Sequence, residues 1–260
     1  MQNTLLRTYI NSPLEQFEVK LFLGLNTPFI DLSGLNITTF TLYTIIVLLV
    51  VSSLYVLSNN NNKIIGSRWL LSQEVIYDTI LNMVKGQIKG KDWGYYFPFI
   101  YTLFMFILIS NLISMIPYSY ALTAQFVFII SLSMIIWLGI TILSLFKHGW
   151  VFFSLFVPSG TALPLVPLLV VIELLSYVAR AFSLGLRLSA NIFSGHLLMA
   201  ILAGLTITFV QINIFTLILG FIPLAIILII MCLEFGIAII QAYVFSILAS
   251  SYLKDGLYLH

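Results

Sequence analysis

ELLSYVARAFSLGLRLSANIFSGH, residues 173–196, places Glu173, Arg180, Arg187 and His196 in a run otherwise apolar enough to sit in a bilayer. Ionisable groups at that depth are costly, and they mark functional candidates. Read as a helix at 100° per residue, Arg180 lies about 20° from Arg187 around the axis, and Glu173 and Asn191 each lie about 40° from it. These four form one polar stripe. His196 falls roughly opposite, on the other side of the same helix. One helix therefore carries a fixed positive charge between two polar patches that face different ways at different depths.

The surrounding chain makes the membrane reading secure. Of 260 residues 61% are hydrophobic and 8% charged, and the mean hydropathy is +1.11, far outside the range of a soluble domain. The expected fold class is an all-α polytopic membrane protein. A net charge of +2 is too small to suggest nucleic acid, so the few basic residues read as topology signals. The single Cys232 offers no disulfide framework or cysteine metal site. His148, His196 and His260 are too scattered for paired haem ligation, so neither a cofactor nor a metal is expected. The first 20 residues lack the basic-then-apolar pattern of a secretory signal. They carry one arginine, Arg7, which gives a transit peptide little support. The Asn59–Asn62 run and the many Ile and Phe residues suit an AT-rich organellar gene.

Taken in order, residues 1–35 are mixed, with Pro13, Pro28, Glu15, Glu18 and Asp31, and read as an outer-side surface segment with one short helix. Residues 36–260 read as a single membrane domain. Its first span is 37–57, about the 20 apolar residues that cross a 30 Å hydrocarbon core. Charge returns over 63–93, where Trp69, Leu70, Ile76, Ile80, Leu81 and Val84 recur at helical spacing, the pattern of an amphipathic helix lying in the interface. Spans follow at 95–116, stopped by Pro117, and at 124–146, closed by Lys147 and His148. A loop with Pro158, Gly160, Pro164 and Pro167 leads to two long segments, 168–210 and 215–253, with Gln211 and Asn213 at the turn. Each is about 40 residues, or roughly 60 Å as a helix, twice the bilayer core. Either each is a strongly tilted helix or each breaks near a glycine such as Gly185 or Gly195.

Positive charge fixes the orientation, because loops rich in Lys and Arg stay on the side of synthesis. Lys63, Arg68, Lys85, Lys89 and Lys91 share one loop, Lys147 lies in another and Lys254 is at the C-terminus. An N-out, C-in chain with five membrane segments and one interfacial helix accommodates all of them. That order puts Glu173 near the inner surface, Arg187 at mid-depth and His196 towards the outer side. If the long segments form an antiparallel hairpin, His196 can approach Glu234, and Glu173 can approach Asp255.

The run SLGLRLSANIFSGHLL at 183–198, with IELLSYVAR at 172–180 and PSGTALPLVP at 158–167, resembles subunit a of the F-type ATP synthase, in its mitochondrial and especially fungal form. NLISMIPYS at 111–119, KHGWVFFSLFVPSG at 147–160 and LEFGIAIIQAYVFSILASSYLKD at 233–255 resemble the same family, so the likeness runs from Ser12 nearly to the end. The resemblance implies a tilted hairpin curved against a rotating ring of c subunits, each with a membrane carboxylate. It assigns the essential arginine to Arg187, facing the ring. It implies that His196 and Glu234, with Asn111, line a half-channel open to the outer side, and that Glu173 and Asp255 line one open to the inner side. Gln241 matches a polar position facing the arginine helix, and Asn191 and Arg180 are supporting polar groups. His196 stands where many bacterial members have a glutamate, which favours a mitochondrial origin. The implied location is the mitochondrial inner membrane, the implied partners are the ring and the other stator subunits, and the implied transported ion is H⁺.

These residue types suit that chemistry. Arginine is not deprotonated in proteins, so Arg187 is a fixed charge and not a proton carrier. A ring carboxylate facing it is stabilised as the anion, whereas one facing lipid is stabilised neutral. Rotation past Arg187 then forces proton release into one half-channel and uptake from the other, and the same charge blocks a direct leak. His196 and Glu234 change charge state readily when their surroundings shift them. Each charge moved yields about 2.3 kcal/mol per 100 mV, so several are needed per ATP. Small residues at Ser183, Gly185, Ser189, Ala190 and Ser194 would let another helix approach the arginine face. No GxxxxGK[ST] phosphate loop is present, so nucleotide chemistry belongs to other chains. Two alternatives stay open at this point. A stand-alone secondary transporter predicts transport by the purified chain alone. A structural or assembly subunit of a respiratory complex predicts proton flux indifferent to Arg187.

Overall fold

The computed structural model describes residues 14–23, 36–58, 68–88, 93–116, 119–157, 165–212 and 214–258. The Asn59–Asn62 run, Lys63, Lys89, Lys91, Pro117, Pro158, Gly160, Pro164, Asn213 and His260 lie outside the described residues. Six α-helices carry the fold: α1 Thr39–Ser58, α2 Arg68–Gln87, α3 Trp93–Ser114, α4 Phe126–His148, α5 Val166–Ile212 and α6 Ile214–Leu257. All but α2 are long and apolar enough to cross a membrane. The chain is an all-α polytopic membrane protein.

The N-terminal segment holds more structure than one short helix. A 3₁₀ turn at Glu15–Phe17 leads into strand β1, Leu21–Leu23, which pairs antiparallel with β2, Ile37–Thr38. Three residues are too few for a period to show in sequence, and the partner lies across an intervening segment. Strand β2 ends in a reciprocal cap on α1. The Thr38 amide donates to Thr41 Oγ1 at 2.9 Å and the Thr41 amide donates to Thr38 Oγ1 at 3.4 Å, satisfying two donors that the first turn leaves unpaired.

Helix α3 is the hub, with most of its membrane-length apolar stretch buried. Its Ile100, Phe104, Met105, Ile107 and Leu108 pack with Ile129, Ile136 and Ile140 of α4, Leu184 and Leu188 of α5, and Ala242, Phe245, Ala249 and Leu253 of α6. Helix α2 buries only Ile80, Met83 and Val84 in this cluster, while Trp69, Leu71 and Val75 are exposed. That one-sided burial is what a helix at the interface requires. Helix α1 is attached through Val47 to Ile109, Tyr120 and Leu122, and turns Ile45, Leu48, Leu49 and Val56 outward.

Contacts at the helix ends sort the molecule into two poles. Lys85 sits over Trp93, Lys147 over Tyr258, and His148 Nε2 meets the Leu257 carbonyl at 3.0 Å, all at one end. At the other, Gln125 Nε2 donates to the Phe17 carbonyl at 2.6 Å. By the charge rule the lysine-bearing end is the one expected on the inner side. Gly149 closes α4 at φ 57°, ψ −134°, a conformation that favours glycine, with its amide on the Leu145 carbonyl.

The two long segments do not break at glycine. Helix α5 runs unbroken for 47 residues and α6 for 44, about 70 and 66 Å at 1.5 Å per residue. Helices of that length fit a 30 Å core only at a steep tilt. They form an antiparallel hairpin that packs on α3 and α4.

Candidate functional site

Small residues set how closely α5 approaches its neighbours, and their placement corrects one expectation. Gly185 does not open the arginine face: a Cβ there would meet Ser133 Oγ at 2.6 Å and the Ile129 carbonyl at 3.1 Å, both on α4. Ser189 is likewise turned inward and donates to the Ala124 carbonyl at 3.1 Å. Small volume on α5 therefore serves two faces. Ser183, Ala190 and Ser194 remain exposed, Gly185 seats the helix on α4, and Ser189 ties it to the turn that precedes α4.

On the exposed face, Arg187 lies in a groove between α5 and α6 together with Ser176, Arg180, Ser183, Ser251, Tyr252 and Asp255. Arg187 is exposed and, among the described residues, has no hydrogen bond or ion pair. Its neighbour one stripe position inward behaves differently. Arg180 reaches Glu173 at 3.4 Å through one guanidinium nitrogen and Asp255 at 3.6 Å through the other. The structure thus brings Glu173 and Asp255 together through Arg180. Tyr252 donates to the Arg180 carbonyl at 3.3 Å and holds α6 against this turn. Neither Tyr252 nor Ser251 is among the residues that the sequence singles out. The signal for Tyr252 was available, since it lies one turn before Asp255 on the same helix face.

Towards the outer end the polar groups are buried. Asn111 is 0% exposed and donates from Nδ2 to the Ala238 carbonyl at 3.0 Å, while its Oδ1 has no partner. Ala238 is one turn from Glu234 along α6, so Asn111 approaches the carboxylate's own face. Glu234 is 6% exposed, and neither carboxylate oxygen has a hydrogen-bond partner. It projects onto the α5 backbone at Gly195, where an added Cβ would collide with the carboxylate. Glu234 thus occupies the space that a side chain at position 195 would take, a relation across the hairpin that spacing along the chain does not reveal. The next residue, His196, also has a buried nitrogen without a partner, Nε2. It lines a cavity of about 630 Å³ that runs past Ser114, Tyr120, Met199 and Met231 to Glu15, Glu18 and Lys20 of the N-terminal segment.

Gln241 and Asn191 are half-buried, and neither side chain has a hydrogen bond among the described residues. No group of three or more His, Cys, Asp or Glu side chains among the described residues is placed to hold a metal. Cys232 is free and exposed.

Along α5 the inner cluster at Arg180 and the outer one at His196 are 16 residues apart, about 24 Å. Arg187 lies between them. Two separate polar regions are thus set apart along the helix, with a permanent cation between them.

A family model described as "ATP synthase A chain" matches residues 39–254. The chain is similar to proteins named "ATP synthase subunit a" from several yeasts. It is 99% identical over 260 residues to that of Candida glabrata, covering 100% of both. It is 73% identical over 256 residues to that of Saccharomyces cerevisiae, covering 98% of this chain and 99% of the relative. It is 52% identical over 251 residues to that of Yarrowia lipolytica, covering 96% and 98%.

Proposed function

The chain belongs to the ATP synthase A chain family, whose members translocate protons as stator subunits of the membrane sector, and on that premise we propose how its residues do so. Arg187 faces the ring of c subunits as the fixed charge between two half-channels. Its exposure in the groove without a counter-ion carries this reading. A cation held at membrane depth without a partner is unfavourable, and a passing ring carboxylate would supply that partner. The carboxylate ionises as it meets Arg187, because the nearby opposite charge favours the anion.

Protons enter from the outer side through the cavity under the N-terminal segment to His196, and pass to Glu234 beside Gly195. Their unpartnered atoms support this role, since each has a vacant hydrogen-bonding site for water or a proton. Asn111 fixes α3 against α6 next to that carboxylate. On the inner side, protons leave along the groove past Arg180, Glu173 and Asp255. Asn191 and Gln241 supply further polar surface near the arginine. The fungal relatives favour the mitochondrial inner membrane as the location, with the inner end facing the matrix.

The test is ATP-driven proton pumping in membrane vesicles, comparing the unmodified complex with Arg187→Gln. Loss of pumping by a fully assembled complex is expected. Pumping at the normal rate would overturn the role given to Arg187.

A further inference from the structure

Helices α1, α3 and α4, with Leu253 of α6, line an apolar crevice of about 680 Å³ whose walls include Leu48 and Tyr55 of α1, Phe99 and Phe106 of α3, and Gly139 and Leu143 of α4. Its dimensions are those of one leaflet. Along α3 the lining runs from Tyr96 to Phe106, a rise of about 15 Å, which is half of a 30 Å hydrocarbon core. The crevice is blind towards the outer side. There Phe40 of α1 meets Phe128 of α4 edge-on at 5.1 Å between ring centroids, and Phe106 meets Phe128 at 6.3 Å. A spanning helix of a neighbouring subunit needs the full thickness, so this shape favours an occupant that enters from one side only. Space is available on the α4 wall, because a Cβ added at Gly139 would meet nothing within 4 Å.

The open end is cationic and aromatic. Trp93 lies one turn inward of Tyr96 on α3, and Lys85 Nζ sits 4.6 Å from its ring centroid. Lys147 lies one turn inward of Leu143 on α4, with Nζ 5.6 Å from the Tyr258 ring. Residues three and four apart share a helix face, so both lysines stand at headgroup level beyond the crevice lining, with the tyrosines and tryptophan typical of that depth. We propose that this crevice binds a phospholipid of the inner leaflet with an anionic headgroup, its acyl chain against Phe99 and Gly139 and its phosphate between Lys85 and Lys147. The proposal is independent of the proton path.

The experiment places the assembled complex in phosphatidylcholine nanodiscs with phosphatidylglycerol carrying a photoreactive acyl chain, and maps the labelled peptides. Labelling on the crevice faces of α1, α3 and α4 is expected, and unlabelled phosphatidylglycerol should compete far better than phosphatidylcholine. Combining Lys85→Ala with Lys147→Ala should reduce that advantage roughly thirtyfold, the contribution of two lysines near an anionic headgroup. Gly139→Trp should abolish labelling while leaving both lysines and complex assembly intact. Equal competition by the two lipids would overturn the headgroup assignment. Labelling that persists in Gly139→Trp, or an unlabelled crevice in which Phe99→Cys cross-links to a neighbouring subunit, would overturn the site.

Discussion

The two polar clusters of the hairpin solve the same problem in opposite ways. At the inner end the charges are paired: Arg180 joins Glu173 and Asp255, and all three side chains remain between 34% and 40% exposed. At the outer end the polar atoms are buried without partners, at Asn111, His196 and Glu234. Half-exposed ion pairs contribute about 0–1 kcal/mol each, whereas a buried unsatisfied polar group costs about 1–3 kcal/mol. The inner cluster is therefore inexpensive to build and tolerant of change. These outer atoms form no bond within the protein, which is the expectation for groups retained for what they do and not for what they hold together.

That contrast can be broken or sharpened by substitution. The largest effect is expected at Arg187, where Arg187→Gln should reduce ATP-driven pumping to background in an assembled complex. Next, Glu234→Leu should lower pumping roughly a hundredfold, the scale of a positioned proton-transfer group. Thermal stability of the complex, measured by melting, should not fall, because the orphaned carboxylate is replaced by an apolar group. A large loss of stability would show that Glu234 is structural and would collapse the contrast. Gly195→Ala inserts a methyl where the Glu234 carboxylate sits. It should slow pumping several-fold and destabilise by about 1–3 kcal/mol, as overpacking does, with partial rescue by the shorter side chain of Glu234→Asp. The smallest effect is expected at Asp255→Asn. It leaves Arg180 paired with Glu173, so stability should change by less than about 1 kcal/mol, and pumping should slow only a few-fold because Glu173 still lines the inner path. A severe pumping defect there would mean that the inner cluster is as specialised as the outer.

Much of the architecture was legible because its signal is local. Apolar runs of membrane length give α1, α3 and α4, and the absence of turn residues over 168–210 and 215–253 gives the two long helices. Sequence left open whether those helices break at Gly185 or Gly195, since glycine lowers helix propensity by only about 1 kcal/mol, too little to outweigh burial against α4 and α6. Both glycines are instead used for close approach, one to Ser133 and one to Glu234. The stripe of Glu173, Arg180 and Arg187 was visible from helical spacing. The bridge from Arg180 to Asp255 was not, because it depends on the register of the hairpin, and a shift of one residue turns α6 by 100°. The same limit hid Tyr252 and the fit of Gly195 to Glu234. Strand β1 was missed for a different reason, since three residues show no period and its pairing is non-local.

The central claim is that the charge of Arg187 separates two aqueous paths, and the most direct test is passive proton conductance in membranes stripped of the catalytic head. Arg187→Ala should raise conductance driven by an imposed potential, while Arg187→Lys, which keeps a cation at the crossing, should leave it low. Conductance that stays low in both variants, with the membrane sector assembled, would contradict the account.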